Sequence, residues 1–380
     1  MMKVAHYTDD FSLHQTNLAD ELYSILGDNF KYFEMCQNAD EERRKYQEIG
    51  ERPYLVRVWR DDTDLKKARE WAVAADVVMF ATSETVVDLI KIRLKKNLLT
   101  FEGGERWFKK GLANMFSPLF LHYQWLYHTY FFKKPIYKLC ASAYGANDQY
   151  LLNSYKGRCY KWGYFTKVGD KEPLLGREES DMTRMMWCAR FIDWKHPELP
   201  VKLAAKLKEH GYRFTLDMFG GGVEMNNIKA LISKLGVGDV VRLNGNRSND
   251  DILGEMRNHD IFLFTSDRKE GWGAVLNEAM SNGCAVVASS AIGSVPFLVK
   301  DGINGMIFKD GHLESLNEKV EFLINNPSLR KTMVQEAFMT MRDIWSPRQG
   351  ALNFIKMSED LLQGRDSSIQ DGPCSKAFPI

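Results

Sequence analysis

The sequence has little of what would mark it for nucleic acid, a membrane span or secretion. Lys and Arg number 51 against 50 Asp and Glu, a net charge of +1. A phosphate-backbone footprint requires a basic excess or stripe, so no nucleic-acid partner is expected. No run of about 20 apolar residues occurs, which removes the transmembrane-helix reading. The opening MMKVAHYTDD lacks the apolar region of a signal peptide. The six cysteines form no CxxC pair, and several lie in apolar runs such as YKLCAS and GCAVVAS, where reduced thiols serve as small core residues. These absences predict a cytoplasmic setting, with the inner face of the plasma membrane as the place for any peripheral contact.

What is present is a globular composition, 44% apolar and 27% charged, in 380 residues. That length exceeds one ordinary core and predicts about two domains. Short apolar runs alternate with helical patterns: KVAHY, TNLADELYSIL, KYFEMC, YLVRVW, DLKKAREWAVAA, DVVMFA. The alternation restarts at MMWCARF and continues through FTLDMFG, VVRLNG, DIFLFTS and AVVAS. Strand followed by helix, repeated, predicts parallel sheets wrapped by helices. The charged, aperiodic stretch 166–182 reads as the connection between two such halves. The expected division is a first domain over 1–165, a second over 175–345, and a last helix over 347–363 that returns to the first domain. The polar tail 364–380 is expected to be disordered.

Chemistry concentrates in KEGWGAVLNEAMSNG, residues 269–283. Glu270 lies on a small-residue loop after a strand, and Glu278 lies inside the next helix. Gly271 and Gly273 let backbone approach a ligand, and the amides of Gly273, Ala274 and Val275 are free to meet a phosphate or sugar hydroxyl. Glu278 falls four residues after Ala274, on the same helix face and about 6 Å further along. A carboxylate there suits a vicinal diol such as a ribose, while Glu270 reaches the other end of the ligand. Two carboxylates beside a diphosphate need cations. In WCARFIDWKHPEL, Arg190 ends a strand and Lys195 opens a helix, at the carboxyl edge where parallel sheets bind ligands.

Together these residues resemble the retaining glycosyltransferases of family 4, which have the GT-B fold. The resemblance runs from WCARF to DGINGMIF and extends weakly into the first half. It follows the family's order of a Glu, an aromatic-Gly pair, a helix with a second Glu, a small-residue turn, a strand and a Gly-rich loop. The one departure is Phe297, where many members carry a Glu. HYTDDFSLHQTNLADELYSILG and SAYGANDQYLLNSYKGRCYKWGYF further look like a bacterial subgroup that builds surface polysaccharides. The resemblance implies an α/β chain with two Rossmann-like, doubly wound domains facing a cleft. A nucleotide diphosphate sugar would be held by the second domain and a glycan or lipid-linked acceptor by the first. It implies that Arg190 and Lys195 neutralise the diphosphate, Glu278 holds the ribose and Glu270 touches the sugar. Gly271, Trp272, Gly273, Ala274, Val275, Gly221, Asn246 and Arg247 complete the implied donor site.

Other motifs have plainer readings. The Asp-x-Asp in DDTD, residues 61–64, precedes LKKAREWAV and reads as a helix cap, so no metal or other cofactor is expected. FGGG at 219–222 follows a strand, but the first strand of the chain lacks the glycines of a dinucleotide fingerprint, so a tight turn is the better reading. On the acceptor side, His14 and Gln15 wall the cleft or, with Ser12, form a capping box. Glu105 and Arg106, after LTFEGG, are further acceptor-side candidates. Residues 111–132 contain no Asp, Glu, Lys or Arg and have KK on both sides. They pack as helices in the first domain, or they present an aromatic and basic face to a membrane. The expected activity is sugar transfer with retention of configuration. The rivals are a nucleotide-sugar epimerase or hydrolase, and a nucleotide-sugar-binding subunit without catalysis.

Overall fold

The computed structural model describes residues 2–37, 50–81, 83–116, 118–126, 129, 131–169 and 181–380. Residues 170–180 of the expected connection lie outside that set. The chain divides into two compact units, Met1–Thr166 with Ile344–Ile380, and Lys167–Asp343.

The first unit is built on β1 (Val4–Thr8), β2 (Phe30–Glu34), β3 (Leu55–Arg57), β4 (Val77–Ala81), β5 (Thr100–Gly104), β6 (Ile136–Cys140) and β7 (Cys159–Lys161). Their spatial order is β3-β2-β1-β4-β5-β6-β7, with every pairing parallel. All five residues of β1 are buried, which a strand covered by helices on both faces requires. The interleaved helices are α1 (Leu13–Leu26), α2 (Asp62–Ala74), α3 (Val87–Lys95), α4 (Pro118–Trp125) and α5 (Gly145–Leu151). Asp61 caps α2 by accepting from the Thr63 amide, a helix-start role for the DDTD run.

The second unit repeats the pattern with β8 (Thr183–Cys188), α6 (Glu198–Glu209), β9 (Phe214–Phe219), α7 (Met225–Leu235), β10 (Val241–Gly245), α8 (Asn249–Asn258) and β11 (Ile261–Phe264). It continues through α9 (Val275–Ser281), β12 (Ala285–Ser289), α10 (Val295–Leu298), β13 (Met306–Phe308), α11 (Leu313–Asn325) and α12 (Pro327–Asp343). Strand order is β10-β9-β8-β11-β12-β13, again all parallel. In both sheets the order reverses beside the first strand, at β1/β4 and at β8/β11. Loops leaving the carboxyl ends of those neighbours diverge to opposite faces and leave a crevice, the usual ligand position of such sheets.

The last helix, α13 (Pro347–Leu362), belongs to the first unit and packs on α1. Phe354 lies 5.2 Å from the Phe101 ring and 5.7 Å from that of Trp162. A Cβ on Gly350 would come within 2.5 Å of Phe165, so this turn of the helix admits no larger residue.

The tail 364–380 corrects the expectation of disorder. Cys374 N–H donates to the Lys161 carbonyl at 2.8 Å, Lys161 N–H to Ser375 at 2.8 Å, and Ala377 N–H to Cys159 at 3.0 Å. Tyr160 and Lys376 form an antiparallel bridge. The tail's composition is polar, but β7 is an edge strand with a free row of backbone groups, and the tail supplies their partners. Asp360, on α13, fixes the start of the tail by accepting from Arg365, from Ser368 N–H and from Ser368 Oγ.

Candidate active site

The crevice of the second unit is set by β8 and β11, and its walls are cross-braced. Trp187, near the end of β8, donates its indole N–H to Thr265 Oγ1 at 2.9 Å. Thr265, just past β11, donates in turn to the Lys195 carbonyl at 2.8 Å. Asp267 N–H donates to the Trp194 carbonyl at 2.9 Å. These bonds tie the loop after β8, which carries Arg190 and Lys195, to the loop after β11, which carries Glu270. Lys195 Nζ meets the Glu270 carboxylate directly, and both side chains are 11% exposed. Burial holds the Lys195 ammonium below its usual pKa, against the pull of Glu270. Its Nζ also lies 4.3 Å from the Trp194 ring centroid. Arg190 is exposed, its guanidinium 6.0 Å from the same ring.

The next loop carries a conformational requirement. Gly273 adopts φ +81°, and a Cβ there would come within 2.4 Å of the Phe264 ring. Gly271 is buried, and Ala274 sits at the N-cap of α9. The Gly273, Ala274 and Val275 amides carry no hydrogen-bond partner among the described residues. Trp272 differs from its expected place in the donor site. Its side chain is 0% exposed, its indole N–H donates to Asn277 at 2.9 Å, and its carbonyl accepts from Ser294 at 2.6 Å. The ring packs the loop from behind, so only backbone at this position remains for a ligand.

Glu278 accepts from Asn249 Nδ2 at 3.1 Å, and burial raises its carboxyl above the ordinary range. Cys188, the last residue of β8, senses both Glu278 and Lys195. Burial, reinforced by the Glu278 charge, pushes its thiol up to about 12. Cys188 and Asn249 are neighbours of Glu278 that spacing arguments missed, because the first reaches it from the end of β8 and the second from the start of α8.

The FGGG loop closes on the same strand end. Cβ atoms on Gly220 and Gly222 would lie 2.0 Å from the Ala189 oxygen and 2.4 Å from the Phe191 oxygen. Phe191 N–H donates to the Gly221 carbonyl at 2.9 Å, so the glycines let two backbones run side by side next to Arg190. Gly221 faces Asn246, whose Oδ1 would be 3.3 Å from an added Cβ. Asn246 and Arg247 are exposed between β10 and α8.

In the first unit, a cavity of about 150 Å³ lies at the carboxyl ends of β1, β4 and β5. Its lining includes His14, Gln15, Glu105, Trp162 and Tyr164, but not Arg106. His14 stacks on Tyr164 with ring centroids 5.5 Å apart. Gln15 Oε1 accepts from Ser12 N–H at 2.9 Å, one half of a capping box. Glu105 accepts from the Tyr164 hydroxyl at 2.8 Å and pairs with Lys109. Arg106 instead bonds Asp148, whose side chain is 1% exposed, at 3.1 Å. It is placed as a brace between the β5 loop and α5. His6, buried at the back of the cavity, is held neutral, its pKa lowered to about 3.

Comparison with known proteins bears on this arrangement. Residues 177–339 match the family model described as Glycosyl transferases group 1. An uncharacterized glycosyltransferase of Methanocaldococcus jannaschii is 24% identical over 382 residues, covering 94% of each chain. A second from that organism is 28% identical over 217 residues, 50% of this chain and 59% of the relative, so less than two thirds of its length is matched. Among solved structures, HepE of Anabaena in complex with UDP superimposes with a TM-score of 0.69 at 15% identity, covering 93% of this chain and 99% of that one. The fold is that of the GT-B glycosyltransferases.

Proposed function

We propose, from a fold and a family match that support a glycosyltransferase acting on nucleotide sugars, that the chain is a retaining enzyme of the family 4 kind. It moves a sugar from a nucleotide diphosphate sugar to a hydroxyl of a glycan or lipid-linked acceptor in polysaccharide biosynthesis, on the inner face of the plasma membrane. The observation that carries this reading is the direct contact of Lys195 with Glu270 beside Arg190 in one crevice. In a nucleotide sugar the sugar is bonded directly to the diphosphate. A carboxylate for sugar hydroxyls and a cation for the diphosphate must therefore be neighbours, and here they touch. Glu278 supplies the third point, a carboxylate for the ribose diol. That HepE was solved with UDP makes a uridine diphosphate sugar the first donor to test.

The chemistry follows from charge. Departure of a nucleoside diphosphate builds negative charge at the phosphate, and fixed cations and amide dipoles aimed there lower the barrier. Arg190, Lys195 and the amides of Gly273, Ala274 and Val275 are those groups. With retention, the acceptor hydroxyl enters on the face the diphosphate leaves and a phosphate oxygen takes its proton, so no protein nucleophile and no metal is required. The acceptor side is the cavity at His14 and Glu105, whose aromatic walls suit a sugar ring. The test is incubation with UDP-, GDP- and ADP-sugars and a glycan acceptor, following nucleotide release and the anomeric configuration of the product. A product with the donor's configuration is expected; inversion, or epimerised donor without transfer, would overturn the reading.

A further inference from the structure

The first unit holds a second cavity, of about 320 Å³, at the opposite edge of its sheet. Ile136, the first residue of β6, and Arg158, one residue before β7, both line it, so it opens at the amino ends of the strands. Lys133, Lys156 and Arg158 converge on it with Phe131 and Phe132, and no Asp or Glu is in its lining. Lys133 and Lys156 are exposed and have no ion-pair partner among the described residues. Arg158 is fixed in place, its Nη1 donating to the Lys134 carbonyl at 2.7 Å. The far wall is preformed. Arg158 N–H donates to the Tyr155 carbonyl at 2.7 Å, and Tyr155, in the left-handed region at φ 45°, is anchored through its hydroxyl to Glu102. Glu102 itself is 1% exposed and paired with Lys138 at 3.2 Å. Three like charges facing one cavity repel one another unless an anion sits between them. The chain leading into this cavity, 111–132, has no charged residue, and Phe116, Trp125 and Phe132 are 82%, 54% and 59% exposed. Exposed aromatic side chains next to lysines are the composition of a surface seated in a headgroup layer.

We propose that this cavity takes the phosphate of an anionic phospholipid headgroup, with Phe132, Trp125 and Phe116 entering the bilayer interface beside it. The inference deepens the membrane contact proposed above and does not depend on sugar transfer. The test is co-sedimentation of the full chain with vesicles of phosphatidylcholine alone and of phosphatidylcholine with phosphatidylglycerol. Binding is expected only to the second. Lys133→Ala with Lys156→Ala should lower partitioning by roughly twenty-five-fold, about fivefold per charge. Phe132→Ser should weaken binding as well, and nucleotide binding should be unchanged in every variant. Equal binding to both vesicles would overturn the headgroup cavity and leave the membrane contact standing. Binding to neither would overturn both. Anionic binding that survives the double lysine substitution would also refute the site. So would protection of the cavity by inorganic phosphate in a protein that ignores vesicles, since the ligand would then be a soluble anion.

Discussion

Glu278→Gln should move stability and ligand affinity in opposite directions. In the free protein, burial raises the Glu278 carboxyl above the ordinary carboxylate range, opposed only by the Asn249 hydrogen bond. A carboxyl whose folded pKa lies above its unfolded one binds its proton more tightly in the folded state. Its contribution to stability is therefore greatest below the unfolded value and declines as pH rises through the folded pKa. At neutral pH the charge is a cost, about 1.4 kcal/mol for each unit by which the pKa is raised. Glutamine removes that cost and keeps an oxygen for Asn249. Each kcal/mol recovered should raise the melting temperature of the 167–343 unit by about 2–4 °C. In the proposed complex the ribose diol, in contrast, donates to an ionised carboxylate, and hydrogen bonds to charged groups contribute about 1.5–3 kcal/mol. Nucleoside diphosphate affinity should fall roughly ten- to a hundredfold. The wild-type affinity should also strengthen as pH rises through the free Glu278 pKa, a step absent from the variant. Differential scanning fluorimetry with and without UDP, and calorimetric titration across pH, read both effects. A variant that melts lower without ligand refutes the burial argument, and one that binds UDP as tightly as wild type refutes the ribose assignment.

Further expectations separate the remaining roles. Glu270→Gln should leave UDP affinity within a few-fold and reduce turnover, as seen by initial rates alongside titration. Lys195→Met leaves the Glu270 carboxylate without its buried partner, at a cost of about 3–5 kcal/mol of stability, and turnover should fall as the barrier rises by about 3–4 kcal/mol; Lys195→Met with Glu270→Gln should recover much of the stability but none of the rate. Gly222→Ala, which drives a Cβ against the Phe191 carbonyl, should abolish nucleotide binding or folding of the second unit, while Gly236→Ala, whose Cβ meets nothing within 4 Å, should cost about 1 kcal/mol by chemical denaturation. Truncation after Asp366 should expose the β7 edge and lower the melting temperature of the first unit, with self-association visible by light scattering.

The doubly wound order of both units was legible because their central strands, such as β1, β4, β11 and β12, are buried parallel strands that read as short apolar runs between amphipathic helices. The grouping of Arg190, Lys195, Glu270 and Glu278 was legible because the carboxyl ends of β8 and β11 are neighbours at the point where strand order reverses. What the one-dimensional pattern hid depends on distant packing. Trp272 looks like a ligand-facing aromatic between two glycines, but its partner Asn277 lies one helical turn on and draws the indole inward. Arg106 looks like an acceptor group until Asp148, 42 residues later, claims it. The tail reads as disordered from its polar composition, and only the open edge of β7 explains its order. Cys188 and Asn249 carry no charge pattern that singles them out, and their relation to Glu278 exists only once β8 and α8 are packed beside α9.

The most direct measurement of the central claim is a crystal structure of the protein soaked with whichever of UDP, GDP and ADP gives the largest thermal shift. The account predicts both ribose hydroxyls on the Glu278 carboxylate and the diphosphate held between Arg190, Lys195 and the amides of Gly273, Ala274 and Val275. A nucleotide whose ribose lies elsewhere, with Glu278 still bonded to Asn249 and Lys195 still closed on Glu270, would contradict it.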